Sequence, residues 1–240
     1  MATPASEKVE LFKESLKLKA EQLILTGFPE KIVLLNELLA SSLLNEDLKD
    51  VHQAINIDVP DPIVVNNGEP PAKRLKTETN CVEGTKVLMF ENGPVKCNQV
   101  LMQVIKIVKP HIKQLIEDAN LLKMWVSFMI PKIEDGNNFG VSVQEETLAE
   151  IQSVESEAGA FFDQISRYFL SRAKIISKVA KYPHVADYRQ AVFELDEKEY
   201  MSMWLVICEI RNRYSTLHDI VIKNLEKIKK PRSTNSESLY

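Results

Sequence analysis

The side chains that most often carry chemistry are few and scattered in this sequence. The four histidines, His52, His111, His184 and His218, are preceded three positions earlier by Lys49, Val108, Lys181 and Ser215. The Glu-x-x-His pairs that build a di-iron centre inside a helical bundle are therefore absent. Cys81, Cys97 and Cys208 are widely spaced and form no C-x-x-C pair. Neither a zinc site nor a disulfide framework is expected, and the compartment reads as reducing and intracellular. There is no H-E-x-x-H, P-loop, glycine-rich dinucleotide turn or G-x-S-x-G elbow, so the sequence predicts no catalytic residue, no metal and no cofactor. Cys208 reads as a small packed hydrophobe, not a nucleophile.

The residue types that remain suit recognition. Glu134, Asp135, Gly136, Asn137, Asn138, Phe139 and Gly140 follow Pro131, which cannot continue a helix because it lacks the amide donor. Glycine and asparagine tolerate positive φ, so this stretch is suited to a tight, defined turn. Ser142 stands three residues before Glu145, the spacing of a capping box, which places the start of a new helix near Val143. The tail, 231–240, which ends Ser238-Leu239-Tyr240, is small and polar until its last two residues. It reads either as a frayed terminus or as a tether whose apolar, aromatic end and free carboxylate are a handle for capture by backbone amides or lysines. Lys174 and Lys178, four apart, are either solvated or line something that a ring of copies encloses. Lys73, Arg74 and Lys76, beside Pro70 and Pro71, form a basic cluster of the kind a nuclear import receptor reads, or a solvated charge run.

Charge balance narrows the partners. Thirty basic against 34 acidic residues give a net charge of −4, which argues against nucleic acid and against an anionic membrane surface. No apolar run approaches the ~18 residues of a membrane span, and residues 1–10 carry no signal-peptide core, so the chain reads as soluble.

The elements that must position these residues are helices. Apolar residues recur at spacings of three and four from about residue 6 to 44, interrupted at Gly27 and Pro29, which predicts a long helix bent near Phe28. From about 45 to 97 the period fades and Pro60, Pro62, Pro70 and Pro71 accumulate, as in a partly disordered linker. Within it, 87–90 reads as a short strand or a loop. A second stripe (Leu101, Val104, Val108, Ile112, Leu115, Ala119, Leu122, Val126, Met129) contains Pro110, where a kink is expected. A third runs from Thr147 through Ile151, Val154, Ala158, Ile165, Tyr168, Ala173 and Ile176 to Val179, and a fourth from Tyr188 to Ile228. The predicted fold is all-α, an elongated up-and-down four-helix bundle. Residues 1–58 form the N-terminal helix region, 59–97 the linker, and 98–240 the remaining three helices. Ile105, Ile107, Ile116, Trp125, Phe162, Phe169, Ile175, Met201 and Trp204 lie off the main stripes, which suggests a second apolar face and side-by-side packing with other copies.

Several motifs together resemble the eleven-S, or REG, proteasome activator family. They are Val59-Pro60-Asp61-Pro62, the run from Met124-Trp125-Val126 through Ile130-Pro131-Lys132 to Phe139-Gly140-Val141, Tyr182-Pro183-His184-Val185, Asp187-Tyr188-Arg189, Ile210-Arg211-Asn212 and Leu225-Glu226-Lys227-Ile228-Lys229-Lys230-Pro231-Arg232. Gln144-Glu145-Glu146-Thr147, Val154-Glu155-Ser156-Glu157-Ala158, the basic cluster and the ending Ser238-Leu239-Tyr240 are most similar to the gamma branch. The resemblance implies a homo-heptameric ring with a central channel, which binds the end (alpha) rings of the core proteasome and activates it without ATP. It implies that the tails enter pockets between proteasome subunits, that the loop 133–141 opens the gate, and that Lys174 faces the channel and bears on which peptidase site responds. A nuclear, and also cytoplasmic, location follows from the same likeness. The alternative is a non-enzymatic helical scaffold or adaptor of the nucleus.

Overall fold

The computed structural model describes residues 4–61, 90, 92–132 and 138–232. Its helices are α1 (Ala5–Gln22), α2 (Phe28–Leu39), α3 (Gln99–Met129), α4 (Phe139–Lys181) and α5 (Ala186–Lys229). Helices α1 and α2 are one rod, joined by a π-helical turn at Leu23–Gly27. Pro29 explains the turn. Its ring clashes with the carbonyl four residues back, and widening the preceding turn by one residue relieves that clash without breaking the rod. The Phe28 amide accordingly reaches back five residues to the Leu23 carbonyl. The interruption expected at Phe28 thus falls just before it.

The rod ends at Leu39, earlier than the periodicity suggests. Ser41 Oγ donates to the Leu38 carbonyl at 2.6 Å, and Asn45 Nδ2 donates to the carbonyls of Leu39 and Ser41 at 2.6 and 2.8 Å. These side chains satisfy the terminal acceptors that a further helical turn would otherwise use. Helix α3 runs unbroken through Pro110.

The rod, α3, α4 and α5 pack as a four-helix bundle around one long apolar core. The rod contributes Leu16, Ala20, Ile24, Phe28 and Leu35 to that core. Their spacing selects one face, so other apolar residues in the rod's pattern point outward: Leu11, Phe12, Leu18 and Leu25 are 58–71% exposed. Two residues read as off-stripe are instead inside. Trp125 and Ile105 are 0% and 4% exposed, because α3 packs against α1, α4 and α5 together and needs a wider apolar arc than a single seam.

Polar groups cross this core at two levels. On the first, Tyr214 Oη donates to Asp118 Oδ2 at 2.7 Å, Gln114 Nε2 donates to Asp118 Oδ1 at 3.0 Å, and Lys31 pairs with the same carboxylate, joining α2, α3 and α5. On the second, Asp196 of α5 is fully buried and accepts from Tyr168 Oη at 2.8 Å, Arg172 Nε at 2.9 Å and Asn98 Nδ2 at 2.9 Å. Asn98 also caps α3, its Oδ1 accepting from the Leu101 amide at 3.1 Å, and donates to the Val51 carbonyl at 2.7 Å. Burial and the neighbouring carboxylates push both tyrosine hydroxyls up, so they stay neutral donors. The sequence pattern put Ala173 in the core, whereas the buried position is Arg172 and Ala173 is exposed. Replacing Arg172 by Met is expected to cost about 3–5 kcal/mol in a urea titration, because it leaves the Asp196 charge buried without its partner.

Glu199, 6% exposed on α5, has an Oε1 with no hydrogen-bond partner among the described residues. Burial raises its pKa from 4.5 to about 7, opposed by its hydrogen bond with Gln164 and by the Lys198 charge. A carboxyl with a raised folded-state pKa favours folding while protonated, so its contribution declines as pH rises through that window. Glu199→Gln is expected to raise the melting temperature above about pH 7 and to flatten its dependence on pH between about 4.5 and 7. Thermal melts of both proteins across that range check it.

The proline-rich stretch is rooted more firmly than its composition suggests. Ile57 packs against Val179 and Val192, Arg189 Nη2 donates to the Ile57 carbonyl at 2.5 Å, and Asn56 Nδ2 donates to the carbonyls of Asn92 and Pro94 at 3.1 and 3.3 Å. The two ends of the stretch are thereby held side by side near the C-terminal end of α4. Phe90 is in no strand, and the Gly93 amide donates to its carbonyl at 3.0 Å in a turn where Gly93 has φ 76°. Residues 87–89 and the basic cluster Lys73, Arg74 and Lys76 lie outside the described residues.

Candidate functional site, the end of the bundle where loop and tail originate

Helix α3 stops at Met129 because Ile130 precedes a proline and adopts an extended conformation, φ −65° and ψ 122°. Helix α4 begins at Phe139, four residues before the expected start at Val143, and the capping box is absent. Ser142 is already within the helical ladder, its amide donating to the Asn138 carbonyl at 3.0 Å. Asn138 is the residue before the helix and makes no side-chain cap. Packing holds this first turn in place of a cap. A β-carbon on Gly140 would lie 2.0 Å from the carbonyl oxygen of Pro231, so only glycine permits this approach. Lys227 Nζ sits 4.7 Å from the centroid of the Phe139 ring.

Of the seven loop residues singled out from the sequence, Phe139 and Gly140 therefore belong to the first helical turn, and Asn138 is its N-terminal flank. Glu134, Asp135, Gly136 and Asn137 lie outside the described residues, as do Ser238, Leu239 and Tyr240. What the structure brings together is the roots of both segments. Helix α5 ends at Lys229, whose Nζ pairs with Glu21 Oε1 of α1 at 2.9 Å. Arg232 Nη2 donates to Asn138 Oδ1 at 3.2 Å. A shallow cleft of about 310 Å³ runs between Pro131, Asn138, Ser142, Glu145 and Arg232.

Sequence reasoning named Gln144 only within a family motif and gave it no role of its own. It is fully buried, and its Nε2 donates to the carbonyl of Met129 at 2.9 Å and to that of Ile228 at 2.7 Å. One side chain of α4 thus holds the ends of α3 and α5. The signal for it was present: continued one turn back, the α4 stripe of Thr147, Ile151 and Val154 reaches position 144.

Lys174 is exposed near the other end of α4. At 1.5 Å per residue it stands about 50 Å from Phe139. Among the described residues no group of three or more His, Cys, Asp or Glu side chains is arranged to hold a metal, and no helix is long and apolar enough to cross a membrane. Burial pushes the Cys208 thiol up, which keeps it a poor nucleophile.

Comparisons with known proteins match nearly the whole chain. The family model "Proteasome activator PA28, N-terminal" matches residues 3–62, and "Proteasome activator PA28, C-terminal" matches residues 94–238. The chain is 52% identical to the human protein named proteasome activator complex subunit 3, covering 97% of this chain and 95% of that protein. Among solved structures, the 11S subunit PA28 of the Plasmodium falciparum proteasome superposes with a TM-score of 0.76 at 30% identity, over 97% of this chain and 98% of that one. The activator PA26 from Trypanosome brucei, solved with the yeast 20S proteasome, shares the fold alone, with a TM-score of 0.61 at 12% identity over 93% of this chain and 88% of that one. With both of its halves matched and a relative 52% identical along almost its full length, the chain belongs to the PA28 family of proteasome activators.

Proposed function

We propose that this chain assembles into a homo-heptameric ring that docks on an end (alpha) ring of the core proteasome through the tails 231–240 and opens its gate with the loop 133–141, without ATP. The observation that carries the reading is the junction of Gly140 with Pro231 and of Asn138 with Arg232. Both segments leave the same end of the bundle, so a surface that captures the tails also meets the loop. The names of the relatives, proteasome activators and 11S subunits, point to the same partner.

The exposed apolar residues of the rod, with Met201 and Ile107 at 43% and 37% exposure, supply lateral surface for self-association. Lys174 lies too far from the loop to touch a gate, so any influence on peptide selectivity acts from the channel wall. The segment carrying Lys73, Arg74 and Lys76 is rooted at the end of the bundle away from the docking surface, where an import receptor has access. A nuclear location with a cytoplasmic pool follows from that reading.

Native mass spectrometry of the purified protein, followed by native electrophoresis with core proteasome in the absence of nucleotide, tests the proposal. A seven-copy assembly that co-migrates with the proteasome is the expected result. An assembled oligomer that never co-migrates would leave only the scaffold alternative.

A further inference from the structure

A fully buried glutamine is an expensive choice for a core position. The Oε1 of Gln144 has no hydrogen-bond partner among the described residues, and such an orphaned buried acceptor carries its full desolvation penalty. An apolar side chain of similar volume removes that cost but withdraws the donor shared by the Met129 and Ile228 carbonyls. These are the last residue of α3 and the next-to-last residue of α5. One leads through Ile130 into the loop, the other through Lys230 into the tail. Gly140, one turn before Gln144 on the same helix, is in contact with the Pro231 backbone, and the Asn138–Arg232 hydrogen bond closes the same junction from outside.

We infer that Gln144 is a positioning residue that fixes the root of the loop in register with the root of the tail, so that a docked tail dictates where the loop sits. Gln144 touches no partner molecule and acts only through Met129, Ile228 and the first turn of α4. The inference rests on the function proposed above and adds the residue that couples anchoring to activation.

The test titrates assembled protein into purified core proteasome and reads two quantities, the half-saturating concentration and the plateau rate of peptide hydrolysis. A lost transition from anchoring to activation lowers the plateau, whereas lost anchoring raises the concentration required. Gln144→Met is expected to reach half-saturation within about twofold of wild type with a plateau at least about fivefold lower. Arg232→Ala removes an outer contact and spares the core, so it is expected to keep the wild-type melting temperature and lose about twofold to threefold in plateau. If Gln144 serves stability alone, Gln144→Met lowers melting temperature and ring mass, half-saturation rises, and Arg232→Ala retains the full plateau. That pattern overturns the inference. Where Gln144→Met does not assemble, the plateau of Arg232→Ala decides. Failure of wild type to stimulate would count against the proposed function itself, whereas a stimulating wild type with both variants at its plateau would count against the coupling alone.

Discussion

Deletion of Leu239 and Tyr240 is expected to abolish stimulation of the core proteasome, raising the half-saturating concentration by more than about 100-fold. The tail offers one apolar side chain and one aromatic ring after a polar stretch, and a short peptide of that kind binds weakly alone. In the proposed seven-copy ring, later tail contacts are intramolecular, so overall affinity exceeds that of a single tail by orders of magnitude. The same arithmetic runs in reverse. A loss of about 1.4 kcal/mol per tail is tenfold for each contact and compounds over the ring. The first described residues of the tail, Pro231 and Arg232, are held against Gly140 and Asn138, so the deletion leaves the bundle end intact and removes only the anchor. Native electrophoresis with the proteasome reads the loss directly. Co-migration retained by the deleted protein would place the anchor elsewhere.

Asn137→Tyr is expected to give the opposite separation, with affinity kept within about twofold and stimulation reduced by at least about tenfold. Because α4 starts at Phe139, only the five residues 133–137 lie between Lys132 and Asn138. Gly136 and Asn137 are the residue types there that accept left-handed backbone, which suits the turn expected from the sequence. Tyrosine resists that conformation and adds a large ring where the proposed reading puts gate contacts. The tail is untouched, so the variant should compete with wild type for the proteasome ends. Peptide hydrolysis measured with a fixed amount of wild type and rising variant checks this, with a falling rate as the expected outcome.

The four-helix architecture was legible because burial selects a period, and the stripes of α3, α4 and α5 keep theirs over most of helices 31, 43 and 44 residues long. The rod was harder to read. Leu11, Phe12, Leu18 and Leu25 belong to its apolar composition but face outward, and composition does not say which of two apolar faces a lone helix buries. The start of α4 was misjudged because a local capping signal at Ser142 was outweighed by a contact with Pro231, distant in sequence. The loop stood out through residue types that tolerate turns, and the tail through an apolar and an aromatic residue after a polar stretch. Gln144, Arg172, Asp196 and Asp118 did not, since an apolar pattern passes over polar residues even where they occupy its buried positions. Had the stripes been followed by position alone, Gln144 before Thr147, Arg172 after Tyr168 and Asp196 after Val192 would all have been found.

The measurement that tests the central claim most directly is hydrolysis of a fluorogenic peptide by latent core proteasome, without nucleotide, as assembled wild-type protein, the protein lacking Leu239 and Tyr240, or Asn137→Tyr is added. The expected result is stimulation by wild type, neither binding nor stimulation by the deleted protein, and binding without stimulation by Asn137→Tyr. A correctly assembled wild-type ring that leaves the hydrolysis rate unchanged would contradict the account.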